Sequence, residues 1–155
     1  MTMNFMSDVT AAPGFLIRRC HQISVAIFME EAAELDMSPT QFSALSLIAL
    51  EPGADQSTLG ERIALDRSSV TKCVERLEKR GLIRREVDPA DKRARKLYAS
   101  QEGREMLEKA TAAAGRARAR LLAPLSEKEG SQLLALLKQL GDTLNTCSRV
   151  PVIEC

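Results

Sequence analysis

The segment from 55 to 99 constrains the fold of this chain most strongly, because helix caps and turn signals follow one another within it at short intervals. Asp55 is suited to cap one short helix, and Asp66 is suited to cap a second that runs from Arg67 to Arg80. Only Ala64-Leu65 separates the two. The spacing therefore predicts two short helices joined by a tight turn.

A hairpin is predicted directly after the second of these helices. Gly81 fits the left-handed residue that ends many helices. Short strands are expected at Leu82–Val87 and Arg95–Ala99, joined by the polar loop Asp88–Ala94. Two short helices followed by a hairpin have the order of a winged helix-turn-helix. Proteins with this motif place the second of the two helices in the major groove of DNA.

The outward face of the second helix consists of the residues that remain once those predicted to face the core are set aside. Val70, Val74 and Leu77 lie at helical spacing and are predicted to face inward. On the other face, short hydroxyl side chains allow close approach to base edges, and cations reach phosphates or guanine. The predicted DNA-contacting residues of this helix are Arg67, Ser68, Ser69, Thr71, Lys72 and Arg76.

A second basic cluster is predicted at the hairpin tip, where Lys92, Arg93, Arg95 and Lys96 lie on or beside the loop. The first three are candidate DNA contacts, because a basic tip can enter the minor groove while the helix occupies the major groove. Residues 62–96 contain twelve Lys or Arg and six Asp or Glu, in a chain of net charge +1. A polar helix face alone is also typical of a solvated surface, but its combination with a basic hairpin favours double-stranded DNA as the partner.

The composition bounds the class of protein. A chain of 155 residues suits one domain, spanning 1–155. The four cysteines are widely spaced without a CxxC pair, so we expect no zinc site, no other metal, and a reduced, cytoplasmic protein. The chain contains no apolar run long enough to span a membrane and no Gly-rich phosphate loop, and it has a single histidine. An enzyme, a cofactor and a membrane partner are therefore not expected.

Helices on both sides of this segment are predicted to be apolar on surfaces that one chain cannot cover. The first, about Phe15–Leu35, is apolar nearly all round its centre at Ile23–Met29. Ser100 begins a long helix that ends near Ala123, and the helix after it carries a leucine stripe. The residues of that stripe are Leu133, Leu136, Leu137, Leu140 and Leu144. This pattern of uncovered apolar residues indicates a partner subunit. The tail after Cys147 is expected to be loose.

The sequence resembles the MarR family of winged-helix regulators over about Phe15 to Leu144. The resemblance is most specific from Leu65 to Ile83, in the run Leu65-Asp66-Arg67-Ser68-Ser69-Val70-Thr71 and its continuation Leu77-Glu78-Lys79-Arg80-Gly81-Leu82-Ile83. At the wing the family has an Asp, one residue and an Arg, which Asp91 and Arg93 match. The second strand then departs from the family's Leu-x-Leu-Thr, because Leu97-Tyr98-Ala99-Ser100 has Ala and Ser at its last two positions.

The resemblance implies a mainly α fold with a small β-wing, in a triangular homodimer. The winged helix-turn-helix would span about 38–100, and the dimerisation helices about 14–36 and 101–146. Each winged helix would bind one half of a palindromic operator. Arg93 would enter the minor groove, and Asp91 would position it.

The family resemblance also implies an inducer. Members commonly respond to small aromatic anions, and the run Phe15–Gln22 is similar to the branch that regulates breakdown of aromatic acids. Arg19 and His21, with Arg18 as an alternative, are the candidate ligand-binding residues for an aromatic acid or its thioester. The same cations would otherwise pair with acidic residues such as Glu30, Glu31 or Glu34 across the dimer.

Two other interpretations are kept. Cys20 lies in a basic setting that favours a thiolate, and some relatives sense peroxides through a cysteine in the first helix, so the alternative function is a redox-sensing regulator. His21 is also consistent with a plain polar residue at a subunit edge. A winged helix used only for protein contacts is disfavoured by the basic wing. The leading prediction is a repressor that an aromatic anion releases from DNA.

Overall fold

The computed structural model describes residues 9–153, and its elements follow the predicted order. They are α1 (Pro13–Glu31), a 3-10 turn (Ala33–Leu35), α2 (Pro39–Leu50), α3 (Gln56–Ile63), α4 (Arg67–Lys79), β1 (Ile83–Val87), β2 (Arg95–Ala99), α5 (Gln101–Leu122), α6 (Glu127–Thr143) and a second 3-10 turn (Asn145–Cys147). The fold is mainly α with one two-stranded sheet, as predicted. The first helix ends at Glu31 and not at the predicted Leu35, because Ala33–Leu35 form a 3-10 turn.

Side-chain caps are present at the helix starts. Ser38 and Gln41 form a reciprocal capping box, and so do Ser126 and Glu129. Ser100 Oγ accepts a hydrogen bond from the Gly103 N–H at 2.9 Å, so serine caps α5 in place of the family's threonine. Each cap satisfies N–H groups that the first helical turn leaves without a partner.

One apolar core joins α2, α3, α4 and the wing. Leu45, Leu59, Val74, Leu77 and Leu97 are fully buried in it. The inward face predicted for the second short helix is therefore confirmed, and burial of these side chains fixes the orientation of its opposite face.

The wing is an antiparallel hairpin that is anchored at its base. The register pairs Ile83 with Ala99 and Val87 with Arg95. The outer edge of β2 also bonds the loop before α3, where Gly53 N–H donates to Leu97 O at 2.9 Å and Leu97 N–H donates to Ala54 O at 2.9 Å. These bonds tie the wing to the start of the helix-turn-helix.

The start of α5 lies very close to the end of α4. A Cβ atom at Gly103 would stand only 2.0 Å from the backbone oxygen of Leu82, which also accepts the N–H of Ser100. Glycine is therefore required where α5 leaves the winged helix.

Gly103→Ala is expected to lower the free energy of unfolding by about 2 kcal/mol, because the added methyl must displace backbone. Thermal unfolding measures this effect. The control is Gly115→Ala in the same helix, where a Cβ would meet nothing within 4 Å in the described chain. That change should be neutral or stabilising by up to about 1 kcal/mol. Equal melting temperatures for the two variants would contradict the close approach.

The flanking helices leave apolar side chains exposed. Phe28 and Ala32 of α1 pack on Ala113 and Ala117 of α5. By contrast, Ile23 on α1 is 42% exposed, and the leucines of α6 from 133 to 144 are 39–53% exposed. The single chain therefore leaves the leucine stripe uncovered.

The tail after Cys147 is not loose up to residue 153, contrary to expectation. The side-chain amide of Asn145 both donates to Val152 O and accepts from Val152 N–H, each at 2.8 Å. Ile153 N–H then donates to Glu61 O of α3 at 3.1 Å. These contacts join residues 61 and 153, which local sequence patterns do not relate.

None of the helices in the described part of the chain is both long and apolar enough to cross a membrane.

Candidate nucleic-acid interface

The start of α4 presents cations and hydroxyls to solvent. The side chains of Arg67, Ser68 and Lys72 are exposed and make no hydrogen bond or ion pair within residues 9–153. Asp66 accepts the Ser69 N–H at 2.9 Å, and hydrogen bonding to Ser69 holds the pKa of that carboxyl below its usual value. The capped first turn thus presents unpaired cations beside helix N–H groups, a combination suited to a polyanion.

Two of the predicted hydroxyl contacts are engaged within the helix. Ser69 Oγ donates to Asp66 at 2.9 Å, and Thr71 Oγ1 donates to Arg67 O at 2.9 Å. The hydroxyl hydrogens of Ser69 and Thr71 are therefore used, and while these bonds last each hydroxyl can only accept a hydrogen bond from a ligand.

Arg76 lies two turns further along α4 and has an intrachain partner. Its guanidinium is 3.3 Å from the carboxylate of Asp36. Arg80 reaches the same loop and donates to Asp36 O at 2.6 Å and Leu35 O at 2.8 Å. These arginines connect α4 to the segment between α1 and α2, and Arg76 would have to leave or share Asp36 to bind an external anion.

The tip of the wing is shaped by its acidic residues. Asp91 accepts the Arg93 N–H at 2.9 Å, whereas the Arg93 side chain is exposed and unpaired in the described chain. Arg95 donates back to Lys92 O at 2.8 Å. Lys96 lies 3.4 Å from Asp88, and hydrogen bonding to the Ala90 N–H lowers the pKa of Asp88. The carboxylates thus hold the backbone, while Lys92 and Arg93 extend outward.

The wing groove, as we call it, is an open cleft of about 880 Å³ between α3, α4 and the wing. It brings together Arg67 and Thr71 of α4 with Arg93 and Arg95 of the wing. The sequence predicted these four residues separately on two elements, and the fold places them along one cleft. Tail residue Arg149 also lines it, a position that the sequence analysis missed.

The candidate ligand residues lie on an exposed part of α1. Arg18, Arg19 and His21 are all exposed, and Arg18 lies 5.3 Å from the ring centre of Phe15. One chain by itself therefore does not enclose these three side chains.

Two of the three carboxylates named as alternative partners for these cations, Glu30 and Glu31, are paired with α5. Glu31 pairs with Arg120 at 2.7 Å and with Arg116 at 2.8 Å, and these hydrogen bonds lower its pKa. Glu30 pairs with Arg120 at 2.9 Å. Pairing of Arg18 or Arg19 with these carboxylates across a dimer would therefore have to share or displace α5 arginines.

The described cysteines differ in their surroundings. Cys73 is buried in α4, where burial raises the pKa of its thiol to about 11, and Cys20 is exposed on α1. Cys73 is thus part of the core, and the exposure of Cys20 leaves it accessible to oxidants.

Iodoacetamide at pH 8 is expected to label Cys20 at least about 10-fold faster than Cys73, because the thiolate is the reactive form and Cys73 is both buried and protonated. Peptide mass spectrometry measures each site. Unfolding in guanidinium should abolish the difference, and equal rates in the native protein would contradict the buried position of Cys73.

Comparisons with known proteins agree with this geometry. Residues 37–94 match the MarR family. A regulatory protein assigned to the hcr operon of Thauera aromatica is 34% identical over 131 residues, which cover 82% of this chain and 77% of that protein.

Solved structures show the same likeness. The transcriptional repressor CouR, bound to a 23-mer DNA duplex, has a TM-score of 0.82 at 26% identity, with 88% of this chain and 96% of that chain covered. BpsR of Bordetella bronchiseptica, whose DNA binding is regulated by 6-hydroxynicotinic acid, has a TM-score of 0.81 at 26% identity and coverages of 86% and 95%. The chain belongs to the MarR family and is a DNA-binding transcriptional regulator, not an enzyme.

Proposed function

We propose that this regulator is a homodimeric repressor that binds a palindromic operator and is released by a small aromatic anion. The observation that carries the DNA-binding part is the wing groove, where unpaired cations from α4 and the wing lie together. The proposed contacts remain those predicted from the sequence: Arg67, Ser68, Ser69, Thr71, Lys72, Arg76, Lys92, Arg93 and Arg95. Such a protein would act in the cytoplasm, where its operator DNA lies.

The homodimer is supported by the uncovered apolar surfaces of α1 and α6. A leucine stripe that is about half exposed in one chain is stabilised when a second copy covers it. A two-fold dimer presents two copies of α4 related by symmetry, which favours a palindrome with half-sites about one helical turn apart. Residues 1–155 then act as one unit, with dimerisation helices at about 14–36 and 101–146.

An aromatic acid is supported as the inducer by the exposed cations of α1 and by the likeness to BpsR. Arg19 and His21, or Arg18, would bind the carboxylate, and apolar side chains such as Ile23 and Ile27 would contact the ring. The acid releases DNA only if it binds better to a dimer whose α4 helices are wrongly spaced.

Binding to the DNA upstream of its own gene tests the proposed function. We expect a gel shift in which two chains bind each duplex. An excess of the same unlabelled palindrome should abolish the shift, whereas a shuffled duplex should leave it unchanged. Weak binding without preference for any upstream sequence would contradict a specific operator. Binding by one chain would contradict the dimer.

Benzoate-, cinnamate- and nicotinate-type acids, with and without coenzyme A, are expected to include a compound that dissociates the protein–operator complex. Arg19→Ala should raise the concentration needed by at least about 10-fold, because a charged hydrogen bond is lost. Cys20→Ser is the matched control at the neighbouring position and should respond as wild type. If no acid released the DNA while a peroxide did so through Cys20, redox sensing would replace this proposal.

A further inference from the structure

The C-terminal tail lies against the DNA-binding part of its own chain. Arg62 of α3 donates to Ile153 O at 3.4 Å, next to the bond between Ile153 N–H and Glu61 O. Arg62 is in turn 3.7 Å from Glu51 at the end of α2. Both the amide and the carbonyl of residue 153 are thus held by the helix-turn-helix.

The stretch between Asn145 and Ile153 is folded back on itself. The side-chain amide of Asn145 makes two hydrogen bonds of 2.8 Å, one to the backbone oxygen and one from the backbone N–H of Val152. Inside this loop, Ser148 Oγ donates to Val150 O at 3.0 Å and accepts the Val150 N–H at 3.1 Å. A loop closed in this way limits the positions available to the residue between them, Arg149.

Arg149 is thereby held at the wing groove, which it lines together with Arg67, Arg93 and Arg95. Its side chain is exposed and makes no ion pair within residues 9–153. Of the three carboxylates along the cleft, Asp55 and Asp66 are committed to helix caps, and only Glu61 is not. Four arginines outnumber the three carboxylates along the cleft, so it keeps a positive charge that favours a polyanion.

We propose that Arg149 contacts a DNA backbone phosphate, so that the C-terminal tail is part of the DNA-binding surface. This inference rests on the proposed DNA binding and adds a contact from outside the winged helix. A phosphate is the expected target because Arg149 is exposed on a non-helical loop, where no helix or strand inserts it into a base-reading groove.

The test measures Kd by fluorescence anisotropy over a range of KCl, on the operator and on an unrelated duplex. Arg149→Ala should raise Kd by roughly 10-fold at about 150 mM salt and reduce the slope of log K against log salt by about one per bound subunit. The loss should be similar on both duplexes, because phosphates carry no sequence. Arg149→Lys should recover most of the affinity.

Two control variants separate charge from position. Lys128→Ala removes one exposed cation outside the wing groove and should leave the salt slope unchanged. Asn145→Ala keeps every charge but releases the tail loop, and should reproduce part of the loss seen in Arg149→Ala.

The results that would overturn the inference are distinct from failure of DNA binding itself. Wild-type protein that binds neither duplex would remove the proposed function and this inference together. Normal wild-type binding with an unchanged Kd and slope in Arg149→Ala would overturn the inference alone. So would a lowered melting temperature with an unchanged slope, as expected if Arg149 only pairs with Glu61, or a loss confined to the operator.

Discussion

Arg93→Ala is expected to raise the Kd for the operator by about 100-fold while leaving the melting temperature unchanged. The Arg93 side chain makes no contact that the fold needs, because it is exposed at the wing tip and unpaired in the described chain. A charged hydrogen bond contributes at least about 1.5 kcal/mol, and a dimer would lose two. A total of about 3 kcal/mol corresponds to two decades in Kd. Lys72→Ala should have a smaller effect.

Arg84→Ala is the matched control for this prediction. Arg84 is also an exposed wing arginine, but it is held 2.8 Å from Glu86 and lies 4.9 Å from the ring centre of Tyr98. We expect its loss to change Kd by less than about 3-fold, the range of weak surface electrostatics. Wild-type affinity in Arg93→Ala would show that the wing is wrongly assigned.

Asp91→Ala separates the position of Arg93 from its charge. Removing a carboxylate makes the wing more positive, and by charge alone this would tighten DNA binding. Loss of the 2.9 Å hydrogen bond to the Arg93 N–H should instead weaken it, because the loop no longer holds Arg93 in place. Tighter binding in Asp91→Ala would contradict a positioning role for this carboxylate.

The elements could be predicted from the sequence because their signals are local. A capping box joins residues three apart, as at Ser126 and Glu129, and an inward face repeats at three or four residues, as at Val70, Val74 and Leu77. Both patterns can be recognised in the sequence without knowledge of the rest of the fold. The wing strands were predicted for the same reason, since turn residues mark their ends.

The contacts that were missed are long-range ones. Arg76 meets Asp36 across 40 positions, and Arg62 meets Ile153 across 91. Charge and exposure suggested a free Arg76 on the helix face, but the pairing depends on where the α1–α2 segment lies in space. The loose tail was expected because residues 148–153 have no helical or strand period. Their order instead comes from one asparagine side chain and the backbone of α3.

Deletion of residues 126–155 is expected to leave unfolded or aggregated protein, even though α6 contributes little to the core of its own chain. Gly130 is the only residue of α6 that is buried in the single chain. The loss therefore does not arise from the winged-helix core, which α2, α3, α4 and the wing form together with Ala110 of α5. It arises because α1 keeps its exposed apolar side chains and loses the partner surface that would cover them.

Full-length protein should accordingly show a melting temperature that rises with protein concentration, as mass action requires when folding is coupled to dimer formation. The truncated chain should show no cooperative transition and should elute as aggregate or expanded chain. Deletion of residues 149–155 alone is the control: it keeps the leucine stripe of α6, so the protein should remain a folded dimer, although with weaker DNA binding if Arg149 contacts phosphate. A soluble, folded monomer after removal of residues 126–155 would contradict the coupling of folding to dimer formation, because it would show that α1 and α5 need no second copy to be stable in water.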